Sequence, residues 1–145
     1  MRYLPPALLG ATALLALSCL PAWAAMENFT ADLTGAAEVP PVETTATGKV
    51  EASLDTDSKV FTWTINYEGL SGEATAAHFH GPAAEGANAA PVVPIEGALA
   101  SPISGNATLT DEQISQLQNG QWYFNIHTAA HPDGEIRGQV KPAAM

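Results

Sequence analysis

His78 and His80 are separated by a single residue, and His127 and His131 lie four apart, so all four histidines of the chain fall into two local pairs. In an extended segment residues i and i+2 project to the same side. Two imidazoles spaced as His78 and His80 are can therefore converge on one ion. Imidazole nitrogen suits zinc and copper, and three histidines with an open position form a recognised site for either. The candidate ligands are His78, His80 and His127, with His131 or water as a fourth. The one cysteine, Cys19, lies far from them in sequence, and Met26 and Met145 stand near the two ends of the segment 25–145, so a soft site built on sulfur is not expected. The plainer reading keeps the same rings as hydrogen-bonded structural histidines. Rings more than about 8 Å apart, against ligand bonds near 2 Å, would favour that reading.

Other constellations are weaker. Glu135 and Arg137 are two apart and are expected to form a structural salt bridge, and Asp133 and Glu135 are possible oxygen ligands or acceptors behind a histidine. A hydrolytic arrangement with His127 as base and Asp133 or Glu135 as its orienter has no nucleophile to serve it. No Gly-x-Ser-x-Gly elbow and no phosphate-cradling glycine loop is present.

The elements that must position the histidines follow from alternation. Phe29, Ala31 and Leu33 alternate with polar residues, as do Val50, Ala52 and Leu54, and Phe61, Trp63, Ile65 and Tyr67 oppose Thr62, Thr64 and Asn66. A period of two indicates strands with one face on a core. Asp55 to Lys59 reads as a hairpin turn. His78 and His80 end a strand that starts at Ala74, with Phe79 pointing to the core and Gly81-Pro82 closing it. Short strands are expected around Val92–Glu96 and Ile103–Leu109. Gly81 to Pro91 is too poor in bulky residues for a core element and reads as a loop. Thr110 and Gln113 stand at capping-box spacing ahead of Ile114 and Leu117, and Asn119-Gly120 supplies a stop, so about two turns of helix are expected there. Trp122, Phe124 and Ile126 then alternate with Tyr123, Asn125 and His127, and Ile136 to Val140 forms a last strand. Together these elements predict an all-β fold: an antiparallel, immunoglobulin-like β-sandwich of Greek-key type with one short crossover helix.

Charge and processing narrow the function. The chain has 145 residues and a net charge of −10, without the clustered Lys and Arg that nucleic acid or an anionic membrane surface requires. Arg2, the uncharged run Ala7 to Leu20 and Pro21-Ala22-Trp23-Ala24 form a secretory signal pattern, with cleavage expected after Ala24. Residues 1–24 are thus read as a signal peptide and 25–145 as one domain, secreted or periplasmic, with no membrane span after processing. The alternative is lipid anchoring at Cys19, since Ala16-Leu17-Ser18-Cys19 loosely resembles a lipobox. Loss of Arg2 takes the charge from −10 to −11 and leaves Arg137 as the sole arginine.

Four stretches carry a family resemblance. They are Phe29 to Gly35 running on through Glu38-Val39-Pro40-Pro41-Val42; Gly69-Leu70-Ser71-Gly72 with Ala76 to Ala83; Gly120, Tyr123 and Asn125 to Thr128; and Gly134 to Gln139. In this order they resemble the CHRD domain, the module repeated in chordin and found as a stand-alone secreted bacterial protein. The resemblance implies an immunoglobulin-like or barrel-like β fold over about 29 to 140, and no activity. It covers His78, His80 and His127 more firmly than His131. A thin likeness to copper/zinc superoxide dismutase lacks the bridging histidine and the disulfide, and no dismutase activity is predicted from it. Two functions remain in view: an exported metal-binding module, copper first and zinc second, or a non-catalytic extracellular interaction or adhesion domain whose protein partner is unknown.

Overall fold

The computed structural model describes residues 25–144; the segment 1–24, expected from the sequence to be a signal peptide, lies outside the described residues. Eight strands and one helix follow in the order β1 (Met26–Thr34), β2 (Thr47–Asp55), β3 (Val60–Glu68), β4 (Ala74–His80), β5 (Pro91–Pro94), β6 (Ile103–Thr108), α1 (Asp111–Gln118), β7 (Trp122–Thr128) and β8 (Ile136–Pro142). Every pairing is antiparallel. The all-β prediction with a single short helix holds. Among the described residues no helix is long and apolar enough to cross a membrane.

The strands form one continuous sheet, ordered β5-β4-β7-β8-β1-β2-β3-β6. The two layers of the expected sandwich are thus two sides of a single curled sheet. Phe61 of β3 and Phe79 of β4 stand far apart in that order, yet their rings meet edge to face at 5.3 Å. Phe61 also contacts Phe29, Trp63 and Trp122 at 6.2, 5.7 and 6.1 Å. The residues that alternation assigned inward, from Phe29 and Leu33 to Trp122, Phe124 and Ile126, are buried in this core, except Tyr67, which is half-buried at its edge. Full burial of each large side chain contributes about 2 kcal/mol.

Local signals act as their chemistry dictates. Asp55 Oδ1 accepts the amides of Asp57 and Ser58, closing the β2–β3 turn, and Lys59 supplies the left-handed residue at φ 61°. Thr110 and Gln113 exchange both bonds of a capping box at the start of α1. Leu117 of α1 reaches the core. Gln116 accepts the indole N–H of Trp122 at 3.1 Å, tying the helix to β7.

The outward face of β4, β7 and β8 is covered by the loop 81–90. Gly81 makes the exit from β4: a Cβ there would stand 2.4 Å from Trp122 Cδ1, so only glycine passes over the indole. The loop presents carbonyls that side chains of the sheet hold. Gln139 Nε2 donates to Ala83 O and Gly120 O, the Arg137 guanidinium donates to Asn88 Oδ1 and Ala87 O, and Tyr123 O–H donates to Ala89 O. A segment too small to form core is instead pinned as a polar cover beside the histidines.

Candidate metal centre

Because β4 and β7 are neighbours, with Ala76 opposite His127, His78 opposite Asn125 and His80 opposite Tyr123, the two histidine pairs contribute to one patch. His78, His80 and His127 each place a ring nitrogen within 4.8 Å of the others. Their ring centroids lie 5.4, 5.1 and 6.4 Å apart, inside the separation that distinguishes a convergent set from a dispersed one. His78 Nδ1 and His127 Nε2 are 3.2 Å apart. Two nitrogens on a tetrahedral ion with bonds near 2.0 Å stand about 3.3 Å apart. That pair is spaced for an ion already; His80 needs to draw in by about 1 Å or more to match that spacing.

Backbone carbonyls orient two of the rings. His127 Nδ1 meets Pro132 O at 2.9 Å, and His80 Nδ1 meets Ala89 O at 2.9 Å. A ring that donates from Nδ1 keeps its Nε2 lone pair for a ligand bond, the usual support behind a metal-binding histidine. His131 is not part of the group. It sits in the β7–β8 turn, where its amide donates to Thr128 O and its carbonyl accepts from Thr128 N and Gly134 N. Among the described residues the convergent group consists of these three imidazoles, with no thiolate and no carboxylate in it. His127 also lacks the carboxylate that would orient it as a hydrolytic base, because Pro132 O occupies Nδ1.

The surroundings of His78 and His80 favour the neutral ring. Burial, with His127 and His80 beside it, pushes the His78 pKa below its ordinary 6.5. Burial does the same at His80, outweighing the bonds to Ala89 and Asn125 that act the other way. The buried His80 ring stacks on Tyr123 at 4.6 Å and 4°, and Arg137 lies 3.5 Å above the same tyrosine ring. Tyr123, whose strand lies between β4 and β8, is thus held between an imidazole and a guanidinium.

Glu135 does not pair with Arg137, correcting the expected salt bridge. Arg137 is satisfied by Asn88, Ala87 and the Tyr123 ring. The fully buried Glu135 carboxylate accepts from Thr44 Oγ1, Ser71 N, Ser71 Oγ and Thr128 Oγ1 at 2.6–3.0 Å. Glu135 precedes the first residue of β8, so the two-residue spacing did not put both side chains on one strand face.

Asn125 and Glu38 had no assigned role in the sequence. Asn125 shares the outward face of β7 with Tyr123 and His127, and that alternation was its only signal. Its Oδ1 lies 3.0 Å from His80 Nε2. Glu38 enters from the segment after a short 3-10 turn, Gly35–Ala37, and is buried with Oε1 lacking any partner. Burial pushes its carboxyl up to about 7 against the opposing pull of Arg137 and Asn125.

A family profile described as CHRD domain matches residues 29–140. Searches of curated proteins and of solved structures returned no match. The match spans all eight strands but for the ends of β1 and β8, including every histidine discussed above: the chain belongs to the CHRD domain family.

Proposed function

We propose that the protein is an exported metal-binding module that holds copper, or secondly zinc, through His78 Nδ1, His80 Nε2 and His127 Nε2. The convergence of three imidazoles from two strands, two of them oriented by backbone carbonyls, carries this reading. Three imidazole nitrogens without thiolate suit both ions, and water completes the shell, since His131 stands outside the group. Export rests on the leader-like residues 1–24. The acidic chain, at −10, favours a cation as cargo over an anionic substrate.

Calorimetric titration of residues 25–145 with copper and with zinc tests the reading. The double variant His78→Ala/His80→Ala should lose on the order of 100-fold or more in affinity, since even residues that only support metal ligands cost 10–100-fold. Affinity in the wild type should persist somewhat below pH 6.5, because the His78 and His80 pKa values are depressed, and fall at lower pH as the rings protonate. Equal affinity in the double variant rules this site out. A second reading has one observation in its favour: His80 and His127 are bonded to backbone as structural histidines in an interaction or adhesion domain would be. That domain would show no stoichiometric uptake.

A further inference from the structure

His80 is the one ring of the three with both nitrogens engaged by groups outside the trio, Nδ1 at Ala89 O and Nε2 at Asn125 Oδ1, whereas His127 Nε2 meets only His78 Nδ1. A bond to an ion requires one of them to be released. Ala89 O is a backbone acceptor that also faces the Tyr123 hydroxyl, and the Nδ1–H bond to it is what leaves Nε2 to ligate. Asn125 is therefore the partner that must give way. Whichever end of its amide faces the ring, Asn125 occupies the Nε2 direction: Oδ1 takes a proton there, and Nδ2–H would fill the lone pair. Asn125 is itself buried, and its other end is confined. A Cβ at Gly134, where φ is +128°, would stand 2.4 Å from Glu38 Oε1 and 2.7 Å from Asn125 Nδ2, so the glycine is what lets carboxyl and amide lie side by side. Asn125 Nδ2 also reaches toward Asp133 O at 3.5 Å.

Resting on the metal-binding reading above, we infer that Asn125 is a latch on the third ligand, anchored beside Glu38 and holding His80 Nε2 away from the ion. His78 and His127, already at bonding separation, capture the ion first. His80 then trades its hydrogen bond with Asn125 for the metal bond, while its Nδ1–H stays on Ala89 O. Asn125 touches no ion in this scheme; it is a positioning residue that acts through His80. It lowers affinity and keeps the site exchangeable.

Nitrogen NMR of the isotope-labelled wild-type protein during zinc titration tests this without any substitution. Zinc at one equivalent should move the His78 and His127 ring nitrogens, and should move His80 Nε2 and the Asn125 side-chain amide with them. Zinc that moves His78 and His127 but leaves His80 and Asn125 in place overturns the latch alone. Zinc that moves none of the three rings overturns the metal reading and the latch with it. Asn125→Leu, similar in volume, removes the competing amide and should raise zinc affinity about 2- to 10-fold, the equivalent of one net hydrogen bond. The same substitution in a His80→Ala background should change nothing. Equal gain in both backgrounds, or a loss in the wild-type background, refutes the latch.

Discussion

Glu135 and Glu38 are two buried carboxyl groups on opposite terms with their surroundings. Glu135 is fully enclosed, yet three hydroxyls and the Ser71 amide outweigh the effect of burial and hold its pKa below the ordinary carboxylate value. Glu38 is almost as enclosed, but Oε1 has no donor, and burial carries its pKa up to about 7. Burial alone does not set the sign; the number of donors aimed at the carboxylate does. Glu135 joins the segments around Thr44 and Ser71 to the end of β7, and every lone pair is used in doing so. Glu38, next to the Asn125 amide and behind the histidines, has capacity to spare. A saturated group stabilises the fold, and an unsaturated one is left free to respond.

The largest effect should come from breaking the saturated side. Glu135→Ala leaves the hydroxyls of Thr44, Ser71 and Thr128 and the Ser71 amide without their acceptor, and should cost about 4 kcal/mol in urea unfolding at pH 7. A loss below about 1 kcal/mol would mean that water or neighbouring carbonyls take over those donors, and the contrast with Glu38 would fail.

Glu38→Gln probes the other side, where the direction is reversed. A raised pKa means the folded protein keeps the Glu38 proton to higher pH than the unfolded chain. Its contribution is therefore complete below the ordinary 4.5 and is lost as pH rises through about 7. Wild-type stability should decline across that window relative to Glu38→Gln. The gap should reach about 2 kcal/mol by pH 8, less than the full shift implies because a cavity of about 310 Å³ lined by Glu38 and Arg137 brings solvent near. Parallel curves for the two proteins would show that Glu38 is not the group whose ionisation is resisted.

What could be read from the residues divides along the same line. Because the pattern is local, period-two alternation placed the core faces of β1, β2 and β3, which each have one dry side. It also placed that of β7, whose other face is largely buried as well but carries the polar residues Tyr123, Asn125 and His127. The capping box located α1 for the same reason. The His78 and His80 pair was legible since i and i+2 share a strand face. Its meeting with His127 depends on β4 lying beside β7, a pairing across 49 positions between His78 and His127 that no local pattern specifies. Glu135 was misassigned because the same i, i+2 rule was extended one residue beyond the strand. Its true partners come from segments 91 and 64 positions away, at Thr44 and Ser71. Glu38 sits within a recognised family stretch, but its role depends on a neighbour, Asn125, that only the folded sheet supplies.

The smallest effect, and the sharpest test of donor count, is Thr44→Val. The Thr44 hydroxyl donates to Glu135 Oε1 at 2.8 Å, and valine keeps the shape without the donor. One of four donors is removed from a charged acceptor at a half-buried position, for an expected loss of about 1 kcal/mol at pH 7. The pH dependence then separates electrostatics from packing. Because the folded pKa of Glu135 is depressed, its stabilisation is present above the ordinary 4.5 and is lost as pH falls through the lower folded value. Thr44→Val should bring that folded value back toward 4.5, so the gap between wild type and variant should be complete at pH 7 and narrow as acid is added. A gap of the same size at every pH would assign Thr44 to packing and to the bond its hydroxyl accepts from the Ala46 amide. Glu135 would then owe its ionisation to Ser71 and Thr128 alone.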